Sequence, residues 1–416
     1  MSISRFFKYI KAYPLPLLLS IMFVMRAVGF GKALGTVIDS IIIFFASFSY
    51  ITTSRSSCSK LVLLFLSYLL IAIPLANPAP VFQSYSRYLA FLLLLLSVSP
   101  LFESAKLRLF RMELLTYTTW IVAILSIGSF FCYFLGINLF KTEIDTYIGS
   151  GGLFGGLFNH SMMLGPLAGI SACFFFSQAL KRNSYKYYVL MIPCLGSVLF
   201  AASRGAFIAT AVALLIQLVV CKGRKAMKMV IIFSTFLVVS FPLWNSALDG
   251  LSQKQESRSG ANLGAFDSRT SKFECRIDEF KAHPIIGVGF SAIDPNGNDS
   301  YGDDGVIEPG SSWLSVLSMS GIIGAIFIIC ILRNAFKSGI MRISDNMKDY
   351  DYSAFLLGGL SLFCIHLIIE GYIFAAGNFL CYYFWLFVGC SWDYKYLKRR
   401  DVDISKILLP QYAKNL

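Results

Sequence analysis

The chain has 416 residues, 56% of them hydrophobic and only 14% charged, with a mean hydropathy of +0.67. Soluble domains carry about 25% charged residues, so this composition excludes a water-covered globule and points to a polytopic helical membrane protein. The net charge of +13 is segregated: residues 244–311 hold six Lys/Arg against eleven Asp/Glu, a net −5, which leaves +18 for the remainder. That excess sits in short connections between apolar runs, so it reports topology and not nucleic-acid binding.

In chain order, Arg5, Lys8 and Lys11 precede a first apolar run at 15–30. No small-residue cleavage site follows, and Arg26 interrupts the run, so it is read as an uncleaved first span. Further runs lie at 33–51, 61–73, 88–101, 115–135, 162–180, 187–202, 205–221, 229–244, 313–332, 353–369 and 374–392, twelve in all. The third and fourth are short enough for one to be re-entrant. With the N-terminus in the cytoplasm, every second connection is basic: Arg55 and Lys60; Lys106, Arg108 and Arg111; Lys181, Arg182 and Lys186; Lys222 to Lys228; Arg333 to Lys348; Lys395 to Arg400. The alternate connections, apart from 244–311, are poor in Lys and Arg.

The pattern predicts an all-α protein of about twelve transmembrane helices with both termini cytoplasmic. Transmembrane helices 1–9 would fill residues 1–243. A large outward loop at 244–311, periplasmic in a bacterium, contains short amphipathic helices. Helices 10–12 follow at 312–392, and a cytoplasmic tail at 393–416. Of ten cysteines only Cys275 lies in the loop, and the three histidines are His160, His283 and His366. No CxxC or Cys/His cluster exists, so neither a metal centre nor a cofactor is predicted.

Several polar residues stand where chemistry is expected. Gly149 to Gly156, just before Asn159 and His160, suits an irregular backbone lying at the interface, or a plain connector. No strand precedes it and no Lys-Ser/Thr follows it, so it is not a P-loop. Arg204 sits in the tight hairpin between the seventh and eighth runs, either snorkelling outward or gripping an anion bidentately at a cavity mouth. Arg269, Phe273, Arg276/Ile277 and Phe280 recur at helical spacing, which predicts an amphipathic helix packed on the membrane domain, ended by His283-Pro284. Lys272, Asp278, Glu279 and Lys281 fall mostly on other faces.

Glu308 precedes Pro309-Gly310 and the tenth span, whose helix Ser311 or Ser312 can cap. It reads as a capping charge or as a general base. Asp303 and Asp304 compete with it but resemble a solvated loop. Glu370 and His366 are one helical turn apart near the outer end of the eleventh span. Arg26 and Asp39, in the first two runs, are placed to pair with each other.

Together these residues resemble the O-antigen ligase/polymerase superfamily of bacterial membrane enzymes. The resemblance runs from about Gly152 to Trp385. It is carried by Gly-Leu-Phe-Asn159-His160, Ala-Ser203-Arg204-Gly205, the stretch from Arg269 to Pro284-Ile-Ile-Gly-Val-Gly289, and Ser-Ser-Trp313-Leu with Ser-Gly321-Ile-Ile-Gly324. It implies a GT-C-like, metal-independent glycosyltransferase of the bacterial inner membrane. Two arginines would hold the diphosphate of an undecaprenyl-linked glycan, and these positions match Arg204 and Arg269. An outer-loop residue would activate the acceptor hydroxyl. Ligases of this kind carry a histidine just before the tenth span, where this chain has Glu308. That departure favours a polysaccharide polymerase, acting on O-antigen, capsule or exopolysaccharide units, over a ligase. A lipid-linked-glycan flippase or transporter is the non-enzymatic alternative. Glu308, Arg204 and Arg269 are the expected catalytic residues. Arg276, Asn159, His160, Trp313 and Glu370 would join the two arginines in binding substrate. A chain-length regulator is the partner the resemblance implies.

Overall fold

The computed structural model describes residues 14–29, 36–52, 57–139, 154–182, 184–222, 267–294, 307, 310–343 and 350–397. These form α1 (Pro14–Val24), α2 (Thr36–Thr52), α3 (Lys60–Ala76), α4 (Ser84–Val98), α5 (Ala105–Phe134), α6 (Ser161–Arg182), α7 (Tyr185–Phe200), α8 (Arg204–Lys222), α9 (Asp267–Ala282), α10 (Ser312–Ile343), α11 (Tyr350–His366) and α12 (Phe379–Leu397). A short antiparallel pair, β1 (Ser57–Cys58) and β2 (Phe102–Glu103), is the one sheet among the described residues.

Four segments are long and apolar enough to cross a bilayer: Pro80–Val98, Lys106–Phe134, Ser161–Leu180 and Ser312–Ser338. Several shorter apolar helices stand with them, as expected of a polytopic membrane protein. Eleven of the twelve apolar runs coincide with helices. The run at 229–244 lies outside the described residues, and the remaining helix, α9, is the amphipathic one expected in the loop.

The Ser161–Leu180 segment is 94% buried, whereas the other three long segments are about half buried. α6 is therefore the central helix, enclosed by α5, α7, α8 and α11. α10 packs on α3, α9, α11 and α12. Buried Gln217 of α8 donates to the carbonyls of Cys173 (3.2 Å) and Ala354 (2.8 Å), tying three helices together.

Two departures from the sequence reading have clear causes. α5 begins ten residues before its apolar run because Arg111 is not a surface charge. Its guanidinium is fully buried and clasps Asp393 of α12 from two nitrogens, at 2.7 and 3.0 Å. Arg108 reaches Glu103 at 3.2 Å and Asp393 at 3.4 Å. These basic residues lock two helices together at that end of the bundle.

The second departure is a break inside α10. Gly321 has φ 62 and ψ −168, outside helical space. The segment after α9 docks into the break: Ile322 N–H donates to Pro284 O (2.9 Å), and Val288 N–H to Ser318 O (2.8 Å). Tyr68 of α3 donates to the Ser320 carbonyl at 2.6 Å. Gly287, at φ 80, allows the two backbones to touch, since a Cβ there would lie 2.5 Å from Ser318 O. The Pro284–Gly289 stretch and the glycines of α10 are thus two halves of one joint.

Candidate functional site

The site is assembled at the end of the bundle where the connections between α1 and α2, α5 and α6, α7 and α8, and α11 and α12 meet the segments flanking α9. Arg26 closes α1 and pairs with Asp39 of α2 at 2.5 Å, both side chains buried, as their positions suggested. The same guanidinium donates to Ala376 O (2.8 Å), and Asn159 Nδ2 donates to Arg26 O (2.9 Å). One buried arginine therefore holds the α11–α12 loop, residues 370–378, while its own backbone receives the chain entering α6.

Ser312 holds the same loop from the other side. Its buried hydroxyl donates to Glu370 O (2.6 Å) and accepts from the N–H groups of Tyr372 (2.9 Å) and Ile373 (3.3 Å). Ser312→Ala would strand these groups at about 1–3 kcal/mol. We expect a protein that still inserts but melts at lower temperature and loses activity. An unchanged melting temperature would show that the loop does not depend on Ser312.

Two cavities flank the 370–378 loop. One, of about 300 Å³, is lined by Asn159, His160, Glu370, Tyr372 and Asn378 among others. It brings together three residues expected at the substrate. His160 Nδ1 accepts from Met162 N–H (2.9 Å), capping α6, while exposed Asn159 stands at the rim. His366, expected beside Glu370, is buried with Nδ1 at 3.2 Å from Tyr372 Oη. Burial raises the Tyr372 phenol well above its ordinary pKa, and the Glu370 charge adds to that, so it stays protonated. This wall offers a carboxylate and amides, a set suited to sugar hydroxyls. The second cavity, of about 430 Å³, shares Gly371 with the first and is lined by Gln83, Arg87, Ser291 and Ser315 among others.

Arg204 is exposed at the first position of α8, after Ala202 in a left-handed conformation (φ 48). The following Gly205 packs on Ile369, so the hairpin lies against the chain that leads into Glu370. Arg269 lies in the first turn of α9, and its side chain is outside the described residues. Gly310 rests on Lys272 and Phe273, one turn after Arg269. Glu308, Asp303 and Asp304 lie outside the described residues.

Three residues expected at the substrate, Arg204, Arg276 and Trp313, line neither cavity. Arg276 is 2% exposed and lines neither cavity. It donates to Glu279 (2.9 Å), Ser318 Oγ (3.2 Å) and Ala292 O (3.3 Å). Glu279, expected on another face, is buried with it. Their charges neutralise each other, and the pair fastens α9 to α10. Trp313 also lines neither cavity, and its indole N–H donates to Cys364 O at 3.0 Å. Sequence reasoning missed Arg87 and Tyr372. Arg87 had a usable signal, a cation beside a connection that the alternation predicts to be poor in basic residues. Among the described residues, no three His, Cys, Asp or Glu side chains gather as metal ligands.

A family model described as O-Antigen ligase matches residues 189–329. The match spans α7, α8, α9 and the α10 break, and contains Arg204, Arg269 and Glu308. No curated protein matches the chain.

Proposed function

We propose that this chain, which its match supports as a member of the O-antigen ligase/polymerase superfamily, is a polysaccharide polymerase with twelve spans and its 244–311 loop in the periplasm. It would transfer a glycan from an undecaprenyl-diphosphate donor to a hydroxyl of a second lipid-linked repeat unit. The observation that carries this reading is the meeting, at one bundle end, of the Arg204 hairpin, the α9 segment and a cavity walled by Asn159, His160 and Glu370. The apolar helices beside it suit a lipid tail, and the connections suit a glycan in water.

In this scheme Arg204 and Arg269 neutralise the diphosphate as the bond between it and the anomeric carbon breaks. The acceptor hydroxyl oxygen forms the new bond to that carbon, and its proton passes to the Glu308 carboxylate. Undecaprenyl diphosphate departs with the electron pair. A carboxylate beside two arginines is a weak base, so Glu308 orients the hydroxyl and takes the proton late. Glu370, with Asn159 and His160, would hold the sugar.

Arg204→Lys and Arg269→Lys should each remove most polymer while leaving the protein in the membrane, because a point charge lacks the bidentate fork. Wild-type polymer in both variants would sink the assignment. Glu308→Gln should keep donor binding and lose transfer by on the order of 10²-fold or more. Lost binding would instead make Glu308 an ion-pair partner, and full activity would turn attention to Glu370. The family description favours a ligase as the second reading. A deletion strain separates them: accumulated single lipid-linked units mean polymerase, and accumulated long chains mean ligase. A flippase would leave chain length untouched.

A further inference from the structure

α9 and the chain after it run down along α10 and return. On the way down, Gly310, just before α10, rests on Lys272 and Phe273. Arg276 then reaches Ser318 Oγ (3.2 Å), and Pro284 O accepts from Ile322 N–H (2.9 Å). The later the residue in this limb, the further along α10 its partner lies. On the way back, Val288 N–H donates to Ser318 O (2.8 Å), and Gly289 lies against Ala76 and Pro78 at the end of α3. The turn between the limbs, residues 284–286, is the deepest point of a loop expected on the outer side.

Its depth follows from charge positions and the rise of a helix. Ile322, Ile326, Ile329, Arg333 and Lys337 recur every three or four residues along α10, and all are exposed. That face turns from apolar to basic between Ile329 and Arg333, which marks the inner edge of the hydrocarbon. Ile322 stands eleven residues before Arg333, about 16 Å along the axis. α3 agrees from the opposite direction. Exposed Lys60 begins it, and Tyr68 follows eight residues later, about 12 Å along. Tyr68 donates to Ser320 O at 2.6 Å, so the two helices place the break at one level. The hydrocarbon is about 30 Å thick, and the tip at Ile322 and Tyr68 therefore lies inside it. Lys281 and Asp278, an exposed pair at 2.9 Å, stand one to two turns nearer the outer surface, with exposed His283 between them and the tip.

Two further features suit this depth. An irregular turn in hydrocarbon needs its backbone groups served by protein. The Pro284 carbonyl is taken by Ile322 N–H, and the carbonyls of Ile285 and Ile286 both lie 3.4 Å from Tyr68 Oη. The side chain at the tip, in contrast, is left bare. Ile285 is 60% exposed and Ile322, across the joint, 51%. They continue the apolar face that α10 turns outward through Ile326 and Ile329.

We propose that residues 284–286 form a re-entrant tip seated among the acyl chains of the bilayer, with lipid covering Ile285. The outward loop is then anchored in lipid as well as on α10. Its returning limb carries Ser291 to the wall of the cavity of about 430 Å³. Lipid contact and cavity wall thus belong to one short stretch of chain. The inference needs only that the chain spans a membrane, and it does not depend on the reaction.

The test uses the full wild-type chain in nanodiscs containing a phospholipid with a photoreactive diazirine near the end of its acyl chain. Peptide mass spectrometry after irradiation locates the labels. Ile285 and Ile286 should be labelled as strongly as Ile326 and Ile329, whereas Glu274 should not be labelled. A phospholipid carrying the diazirine on its head should leave Ile285 unlabelled. No tail label on Ile285 while Ile326 is labelled would overturn the proposal, as would labelling of Ile285 by the head probe alone. Irradiated Ile285→p-benzoylphenylalanine should gain the mass of one phospholipid. A covalent dimer of the chain in its place would give this face to a second copy and refute the lipid contact.

Discussion

Gly321→Ala is expected to lower stability by about 3–5 kcal/mol and to abolish activity, although the residue touches no proposed substrate group. Its φ of 62 with ψ of −168 is a combination that only glycine adopts readily. A Cβ would also land on the carbonyl of Ile285 and lie 2.7 Å from Ile286 N. Both are main-chain atoms, so no side chain can swing aside. Relief requires the Pro284–Gly289 segment to leave the α10 break. That breaks the bonds from Ile322 N–H to Pro284 O and from Val288 N–H to Ser318 O, and strands buried groups. The segment is also what carries Ser291 to its cavity and α9 to its place. Thermal unfolding and limited proteolysis of the purified protein would show the loss. Ile326→Ala, five residues on and 55% exposed, should stay within about 0.5 kcal/mol. A Gly321→Ala protein melting like wild type would mean that the break is not needed.

Much of the architecture was legible in the sequence because it is local. Apolar runs give helices wherever the bilayer is the solvent, and eleven of the twelve runs are helical. The pairing of Arg26 with Asp39 followed from the cost of two charges in neighbouring spans. Asn159, His160 and Glu370 were singled out from three different features and share one cavity. What was hidden depends on partners far along the chain. Arg111 looked like a topology signal until Asp393, 282 residues away, claimed it. Arg276 was expected on the packed face of its helix and Glu279 on another. Burial at three residues' spacing turned them inward together, because each neutralises the other. Ser312 was readable as a helix cap, but its hydroxyl serves the 370–378 loop instead. Hydropathy orders the spans, and it carries no information on which loop a buried polar atom will meet.

The Arg276–Glu279 pair gives the other large expected effect. Both side chains are nearly sealed from solvent, at 2% and 3% exposure. Arg276 supplies hydrogen bonds to α10 through Ser318 Oγ and to the following segment through Ala292 O. Glu279 Oε1 accepts from Asp294 N–H at 2.9 Å. The pair therefore joins α9, α10 and residues 292–294. Arg276→Met would leave a buried carboxylate without its countercharge, and Glu279→Gln would leave a buried guanidinium in the same state. Breaking a buried pair from one side costs about 3–5 kcal/mol, whereas removing both charges together is often far less costly. The double variant Arg276→Met/Glu279→Gln should therefore be more stable than the sum of the single losses predicts, with a coupling of about 1–3 kcal/mol. Thermal unfolding of all four proteins in one detergent measures that cycle. Because Arg276 is placed as a fastener, the double variant should recover donor binding to the extent that it recovers stability. A stable double variant that still bound no donor would give Arg276 a direct role at the substrate, and strictly additive single losses would show that the two charges do not act as a pair.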